Sequence, residues 1–309
     1  SAASDVYKRQ LYKQGGFLKA AVLHGPRDIR IEDVPKPEVG PRDVLVEVKY
    51  CGICATDLHM YEWEFPVKTP VILGHEFSGV IAEVGEEVED LKKGDRVTVM
   101  PLINCGICPQ CKAGRTNLCE NAIAMGGAGE VIFNGAFAEY VKVPAKNVVK
   151  IPDHVPFELA AMTEPLACCI HGIDLSHIRI GDTVVIIGAG PIGLMLLQLA
   201  RLSGASRIII SDLLDERLEI AKKLGADITI NAKREDVIKK VKELTRGLGA
   251  DVVIEAVGSL TTVETALKLV KKGGRVNIFG VPPKDKPATF IPFDIYFYEI
   301  EIVGTYAYT

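Results

Sequence analysis

Two different rhythms divide the chain. From Lys19 to about Val155, short β-branched runs recur between Gly, Pro and Asp residues: Ala20–Leu23, Val44–Val48, Val80–Val84, Arg96–Val99 and Tyr140–Val143. Runs of this kind predict strands, and Pro35, Pro37, Gly40 and Pro41 punctuate an early turn. After Pro152–Pro156 the rhythm changes. Short apolar segments at Asp182–Ile187, Arg207–Ser211, Ile228–Ile230, Val252–Glu255, Arg275–Phe279 and Ile300–Val303 predict strands. Between them, Ile192–Leu202, Asp215–Leu224, Arg234–Thr245 and Thr261–Leu269 have helical length and pattern. Alternation of this kind implies right-handed crossovers and a parallel sheet. The pattern therefore predicts a β-rich domain followed by a doubly wound α/β domain, with no repeat beyond the βα alternation.

Composition narrows the classes. The 309 residues are 48% hydrophobic and 25% charged, which excludes disordered and low-complexity chains and suits two domains. No run approaches the ~18 apolar residues of a membrane span. A net charge of −4 argues against a nucleic-acid partner, which calls for a basic stripe. Of eight cysteines, four fall between Cys105 and Cys119, and no signal peptide opens the chain. That usage points to metal in a reducing cytoplasm rather than to a secreted disulfide scaffold. The polar leader Ser1–Phe17 contains Asp5–Gln10, which resembles the translation of a synthetic adapter oligonucleotide. It is expected to be non-native, with the natural protein starting at Leu18.

The strongest local signal in the second half is Gly188-Ala189-Gly190-Pro191-Ile192-Gly193, a G-x-G-x-x-G set between a predicted strand and a predicted helix. Glycines there permit a tight turn and close backbone approach to a pyrophosphate, whose charge meets the helix N-terminus. Asp212, 19 residues after Gly193, ends the next predicted strand. A carboxylate at that place can bind both ribose hydroxyls and repels a 2′-phosphate, so NAD is expected over NADP. The competing reading is a structural turn with an incidental acid.

In the first half, Cys105, Cys108, Cys111 and Cys119 form C-x2-C-x2-C-x7-C amid Gly106, Pro109 and Gly114. Four close thiolates in a turn-rich loop suit a closed tetrahedral zinc site, structural because no coordination position is open. An iron–sulfur cluster or disulfides are the alternatives. Other donors are scattered: Cys54, His75, Glu76 and Glu164. A Cys, a His and a carboxylate with one open position make a catalytic zinc sphere. None of their spacings is a short motif, and a satisfied turn histidine and a small buried thiol are equally open readings.

Taken in order, Gly52–His59 (GICATDLH), Gly74–Glu76 (GHE), the four-cysteine segment, Thr163–Leu166 (TEPL) and the glycine turn resemble the zinc-dependent medium-chain alcohol dehydrogenase family, most closely its polyol (sorbitol-type) branch. The resemblance runs from about Leu18 to Thr309. It implies a GroES-like catalytic domain at 18–158 and a Rossmann NAD-binding domain at 159–309, with the active site in the cleft between them. It also implies a further C-terminal segment that completes the catalytic domain beyond Thr309. By the same resemblance Cys54 and His75 match ligands of a catalytic zinc, Glu76 a ligand used in some members, and Glu164 the glutamate that polyol enzymes carry. Asp57 matches a carboxylate orienting the ligating histidine, Thr56 and His59 a proton relay, and Arg217 a basic residue near the adenosine ribose. Cys51, Cys168 and Cys169 match no ligand and are expected to be packing thiols.

The expected function is transfer of a hydride from a secondary alcohol, a polyol or sugar alcohol, to NAD, with one catalytic and one structural zinc. L-threonine, an aldose or a simple alcohol are the alternative substrates within the family, since Met60 stands where sorbitol enzymes usually carry an aromatic residue. The alternative of another class is an inactive NAD-binding zinc protein or fragment. A homodimer or homotetramer is expected, built through the sheet edge near Ile300–Val303. His24, His154, His171 and His177 are expected to be structural or surface residues. Tyr61, Trp63 and Phe65 are candidates either for lining a substrate pocket or for packing the loop.

Overall fold

The computed structural model describes residues 16–127 and 131–309. All but the last two residues of the expected leader lie outside that range. The chain divides into two compact units after Pro165.

Among the described residues, the first unit is built from ten strands: β1 (Phe17–Gly25), β2 (Asp28–Pro35), β3 (Asp43–Gly52), β4 (Val71–Ile72), β5 (Glu76–Val84), β6 (Arg96–Val99), β7 (Leu102–Ile103), β8 (Ile123–Ala124), β9 (Tyr140–Pro144) and β10 (Val148–Lys150). They form sheets ordered β2-β1-β4, β10-β6-β5-β3-β9 and β7-β8. Alternation sets the faces. In β1, Leu18, Ala20 and Val22 point to one buried cluster while Lys19 is exposed, the period-2 pattern of a half-buried strand. The larger core gathers Val44, Val46, Phe77, Ile81, Val97 and Val141 from the five-stranded sheet.

Among the described residues, three short α-helices interrupt this β-rich unit: α1 (Ala55–Tyr61), α2 (Pro109–Lys112) and α3 (Phe157–Ala161). The run expected to be a domain boundary is occupied by α3, which packs on β3 and β5, and Ser78 Oγ donates to the Phe157 carbonyl at 2.6 Å. These contacts tie it to the first unit. Next comes α4 (Thr163–Ser176), and the division between units falls inside it.

The second unit carries β11 (Thr183–Ile187), α5 (Pro191–Leu202), β12 (Arg207–Asp212), α6 (Asp215–Lys223), β13 (Ile228–Asn231), α7 (Val237–Leu244), β14 (Ala250–Glu255), α8 (Leu260–Leu269), β15 (Val270–Ile278), α9 (Pro292–Tyr298) and β16 (Glu301–Gly304). The sheet order is β13-β12-β11-β14-β15-β16, every pairing parallel. Because both faces are covered, β11 reads as an unbroken apolar run. Val184 and Ile186 face the cluster containing Leu196, Leu197 and Ala200 of α5, while Val185 and Ile187 face Val241, Ala266 and Leu269. Strand order reverses between β11 and β14, the switch point where such sheets bind ligands.

Helix α7 starts three residues later than the pattern predicts. The reason is a cap: Asp236 Oδ1 accepts from the Lys239 amide at 3.0 Å, which fixes the N-terminus there. No helix among the described residues is long and apolar enough to cross a membrane.

Candidate active site and metal centres

The approach to the first donor group is a strand–turn–helix. Strand β3 ends at Gly52, Cys54 is the N-cap of α1, and the third helical residue is Asp57. Asp57 is only 3% exposed. Its Oδ2 accepts from the Cys54 amide at 2.9 Å and its Oδ1 from the Gly74 amide at 3.2 Å. The same Oδ1 lies 3.6 Å from His75 Nδ1. One buried carboxylate therefore fixes the backbones of two donor segments and faces the imidazole of one, the orienting contact typical of metal-bound histidines. Gly74 has φ +88°, and a Cβ there would sit 2.5 Å from the Phe137 ring, so the turn that delivers His75 requires glycine.

Cys54, His75 and Glu76 each offer a donor atom within 4.8 Å of the others. Glu76 fits because β3 has no side chain at Gly52: a Cβ there would stand 2.3 Å from Glu76 Oε2. The electrostatics match a cation site. Burial works to lower the His75 pKa, but the hydrogen bond with Cys54 and the charges of Asp57, Cys54 and Glu164 outweigh it and lift the value to about 9. Burial raises the Glu76 carboxyl above its ordinary range, against the opposing pull of His75 and Cys54. A partly desolvated cluster of sulfur, nitrogen and oxygen donors backed by the Asp57 carboxylate fits zinc.

Glu164, in the first turn of α4, influences His75 through its charge but is not part of the close donor group. Thr56 Oγ1 lies 3.6 Å from Cys54 Sγ. His59, in the last turn of α1, pairs with Glu64 through Nδ1. Cys51 points elsewhere, donating to the Gly52 carbonyl at 3.5 Å, and burial pushes its thiol up to about 12. Met60 is 1% exposed and packs with Leu23, Val71 and Leu73; Tyr61, Trp63 and Phe65 pack against the same cluster. The aromatic trio thus packs the loop, and Met60 is a core residue.

The four cysteines of the loop at 105–119 also converge, each with a sulfur within 4.8 Å of the others. Cys108 and Cys119 Sγ are 4.0 Å apart, far from the ~2.05 Å of a disulfide and close to the ~3.8 Å edge of a tetrahedron with Zn–S bonds of ~2.3 Å. Backbone amides point at sulfur: Cys105 N to Cys119 Sγ at 3.3 Å and Cys111 N to Cys108 Sγ at 3.5 Å. Amides from Ile107 and Cys108 hold the Cys105 thiol down to about 6, while burial and the sulfur of Cys108 push Cys111 up to about 12. Four crowded sulfurs cannot all ionise unaided, and a dication at their centre removes that conflict. The donor set fits zinc.

In the second unit, Gly188 (φ +103°) follows β11 and its amide donates to Ser211 O at 2.8 Å. Gly190 is the N-cap of α5 and Pro191 its first residue. Nothing lies within 4 Å of a Cβ built at Gly190, whereas one at Gly193 would stand 1.9 Å from Gly188 O. The first glycine thus leaves an open cradle and the second lets strand and helix close. Ile192 lies beyond Pro191 in the first turn, partly buried against the core. Asp212 ends β12; its Oδ2 accepts from the Ala189 amide at 2.8 Å and lies 3.6 Å from Arg217 Nη1.

Pattern reading passed over Glu255. It ends β14, is 0% exposed, and its Oε1 accepts from the Val257 and Gly258 amides, both at 2.9 Å. A Cβ at Gly188 would meet Val257 Cγ2 at 2.9 Å, so Glu255 shapes the loop beside the nucleotide turn. The available signal was an acid closing an otherwise apolar strand at the switch point.

Comparison with known proteins agrees with this geometry. Residues 40–153 match the family described as alcohol dehydrogenase GroES-like domain, and residues 191–309 match the zinc-binding dehydrogenase family. A sorbitol dehydrogenase of Bacillus subtilis (strain 168) is 40% identical over 295 residues, 94% of this chain and 82% of that protein. An L-threonine 3-dehydrogenase of Proteus mirabilis (strain HI4320) is 40% identical over 261 residues, 83% of this chain and 75% of its own. Among solved structures, a protein of Sinorhizobium meliloti 1021 described as a zinc-binding dehydrogenase bound to NADP is similar with a TM-score of 0.90 at 44% identity, covering 94% of this chain and 85% of that one. The 2R,3R-butanediol dehydrogenase of Bacillus subtilis follows with a TM-score of 0.84 at 36% identity, covering 94% and 84%. With both domains matched and the donor groups assembled, this chain belongs to the zinc-dependent medium-chain dehydrogenase family.

Proposed function

We propose that the protein oxidises a secondary hydroxyl of a polyol or sugar alcohol, using NAD and a zinc ion held by Cys54, His75 and a carboxylate. The observation carrying this reading is the convergence of Cys54, His75 and Glu76 around the buried Asp57. Glu76 is the third donor by proximity, and Glu164 is the acid that acts on the same site from α4. A second ion would be held by Cys105, Cys108, Cys111 and Cys119 and would brace the loop.

Zinc at the first site supplies Lewis acidity that makes a substrate hydroxyl easier to ionise. NAD supplies the hydride acceptor. The chain's own residues do the rest. Asp57 holds the two donor segments and the His75 ring in place. Thr56, beside Cys54, takes the hydroxyl proton and hands it toward His59, which releases it to water. Gly188 and Gly190 leave room for the pyrophosphate to approach the backbone, Pro191 opens the helix, and the first-turn amides of Ile192 and Gly193 face the phosphate charge, while Asp212 receives the adenosine ribose hydroxyls with Arg217 beside it.

Asp212 favours NAD because a 2′-phosphate at its carboxylate meets like charge; the NADP in the Sinorhizobium structure belongs to that protein. The thiol-rich donor sets work only when reduced, which goes with the cytoplasm. Strand β16 ends the sheet order, and its outer edge offers a template for a second copy. The matching 40% identities to sorbitol and L-threonine dehydrogenases support L-threonine as the second reading.

The test is a substrate panel of sorbitol, 2,3-butanediol and L-threonine with NAD and NADP in parallel, followed by nucleotide absorbance. Highest kcat/KM for a polyol with NAD supports the reading. L-threonine oxidation alone would replace the substrate, and activity only with NADP would overturn the role of Asp212.

A further inference from the structure

Helix α1 ends in an arrangement that its sequence does not advertise. The Glu64 amide donates to the His59 carbonyl at 2.8 Å and the Trp63 amide to the Met60 carbonyl at 3.2 Å. That pair of bonds is a Schellman motif, with Trp63 in the left-handed position at φ +65°. Glycine normally fills this place, and a bulky residue there costs about 1–2 kcal/mol. Packing of the Trp63 indole against the Leu23, Met60, Val71 and Leu73 cluster offsets the cost.

The motif brings two particular side chains together. It sets the residue after the left-handed position over the residue three from the helix end, usually as a hydrophobic contact. Here those residues are Glu64 and His59, and the contact is a hydrogen bond between Glu64 Oε2 and His59 Nδ1. Phe65 adds a second restraint: its amide also donates to the His59 carbonyl, at 3.2 Å, and its ring centroid lies 5.0 Å from that of the imidazole. The backbone therefore places the carboxylate, and the neighbouring ring limits the imidazole's freedom to turn away.

We propose that Glu64 is a positioning residue for His59, holding its Nδ1–H so that Nε2 is the nitrogen free to accept the proton leaving the active site. An ionised carboxylate only accepts hydrogen bonds, so the nitrogen facing it must carry the hydrogen. When Nε2 takes a proton the ring becomes imidazolium, balanced by the Glu64 carboxylate. Release of one proton to water restores the starting state, with nothing consumed. Without Glu64 the neutral ring reverts toward the Nε2–H tautomer that free histidine prefers, and the accepting lone pair turns to the wrong nitrogen. This inference rests on the reading of His59 as proton acceptor.

The experiment uses the full-length holoenzyme with Glu64→Ala, Glu64→Gln, His59→Asn and the double variant His59→Asn/Glu64→Ala. Thermal unfolding of each confirms that it folds. Imidazole nitrogen chemical shifts, assigned by the signal lost in His59→Asn, should show neutral His59 with hydrogen on Nδ1 in the wild type and a shift toward Nε2–H in Glu64→Ala. The kcat of Glu64→Ala should fall about ten-fold with KM little changed, inside the ~10²- to 10⁴-fold that general acid–base groups supply in all. Glu64→Gln, which can still accept the hydrogen bond, should lose less. In the His59→Asn background Glu64→Ala should cost nothing further. An Nε2–H tautomer in the wild type, or a loss that persists without His59, overturns the positioning role. If His59→Asn itself leaves kcat unchanged, the proton-acceptor reading fails and takes the inference with it, whatever the tautomer.

Discussion

Replacing Gly193 with alanine sets a Cβ 1.9 Å from the carbonyl oxygen of Gly188 and 2.9 Å from its carbon. Side-chain carbons do not approach such atoms within 3.0 Å, so the oxygen must retreat by at least 3.0 − 1.9 = 1.1 Å. Neither side can yield easily, because the Gly188 N–H is held by its hydrogen bond to Ser211 O and Gly193 sits in the first turn of α5. Overpacking of a tight site costs about 1–3 kcal/mol, and a clash between two backbones belongs at the upper end. For a unit of this size that is a fall of about 10 °C in Tm. Gly190→Ala is the internal control. Its φ of −71° suits any residue and its Cβ meets nothing within 4 Å, so the folded protein should lose no more than about 1 kcal/mol, as an N-cap change. The methyl instead fills the space where a pyrophosphate approaches the backbone. NADH affinity should drop about 100-fold, a loss near 2.7 kcal/mol. Thermal unfolding without nucleotide and a fluorescence titration with NADH separate the two effects. A well-folded Gly190→Ala protein that binds NADH like the wild type would refute the placement of the dinucleotide on this turn.

Three further outcomes follow from particular contacts. Asp57→Asn puts an NH2 group against one of the two amides the carboxylate now accepts, and zinc affinity at the Cys54 site should fall by about 10- to 100-fold; chelator competition measures it, and unchanged affinity would contradict the orienting role. Asp212→Ala removes the charge that repels a 2′-phosphate, so the NAD-to-NADP ratio of kcat/KM should fall at least about ten-fold, the scale of a single lost charged contact; an unaltered ratio would remove Asp212 from the ribose site. Asn277 is 0% exposed and bonds Gly172 O at 2.8 Å, Ser176 Oγ at 2.9 Å and Thr305 Oγ1 at 2.8 Å. Asn277→Ala leaves Ser176 Oγ bonded to Gly172 O but removes the acceptor of Thr305 Oγ1, and should cost about 1–3 kcal/mol in urea unfolding; a cost below about 0.5 kcal/mol would mean that the network contributes little.

Much of the second unit was legible because its strands are buried on both faces and its helices on one, so hydrophobic period and element type coincide. Val184–Ile187 and the helix after Gly190 needed no tertiary information. The helix Thr163–Ser176 was not legible. Its sequence, TEPLACCIHGIDLS, carries Pro165 early and Gly172 late, and the glycine is required by packing: a Cβ there would stand 2.7 Å from the Phe279 ring. Periodicity records neither constraint. The four-cysteine loop was readable from spacing alone, since its donors lie within one local turn system. Cys54 and His75 were not, because the group that joins their segments is the carboxylate of Asp57, one oxygen on each, and its bond to the Gly74 amide spans 17 residues. The resemblance to a family supplied what spacing could not. The Glu64–His59 pair escaped for a related reason: Trp63 occupies a left-handed position that sequence rules assign to glycine.

The central claim is a zinc ion held by the Cys54 group in addition to the one held by the cysteine loop. Metal content per chain by mass spectrometry, on wild type, Cys54→Ser and Cys119→Ser purified alike, tests it most directly. The account predicts two zinc ions per chain in the wild type and one in each variant, with NAD-linked alcohol oxidation lost in Cys54→Ser. Two zinc ions retained by an active Cys54→Ser protein would contradict it.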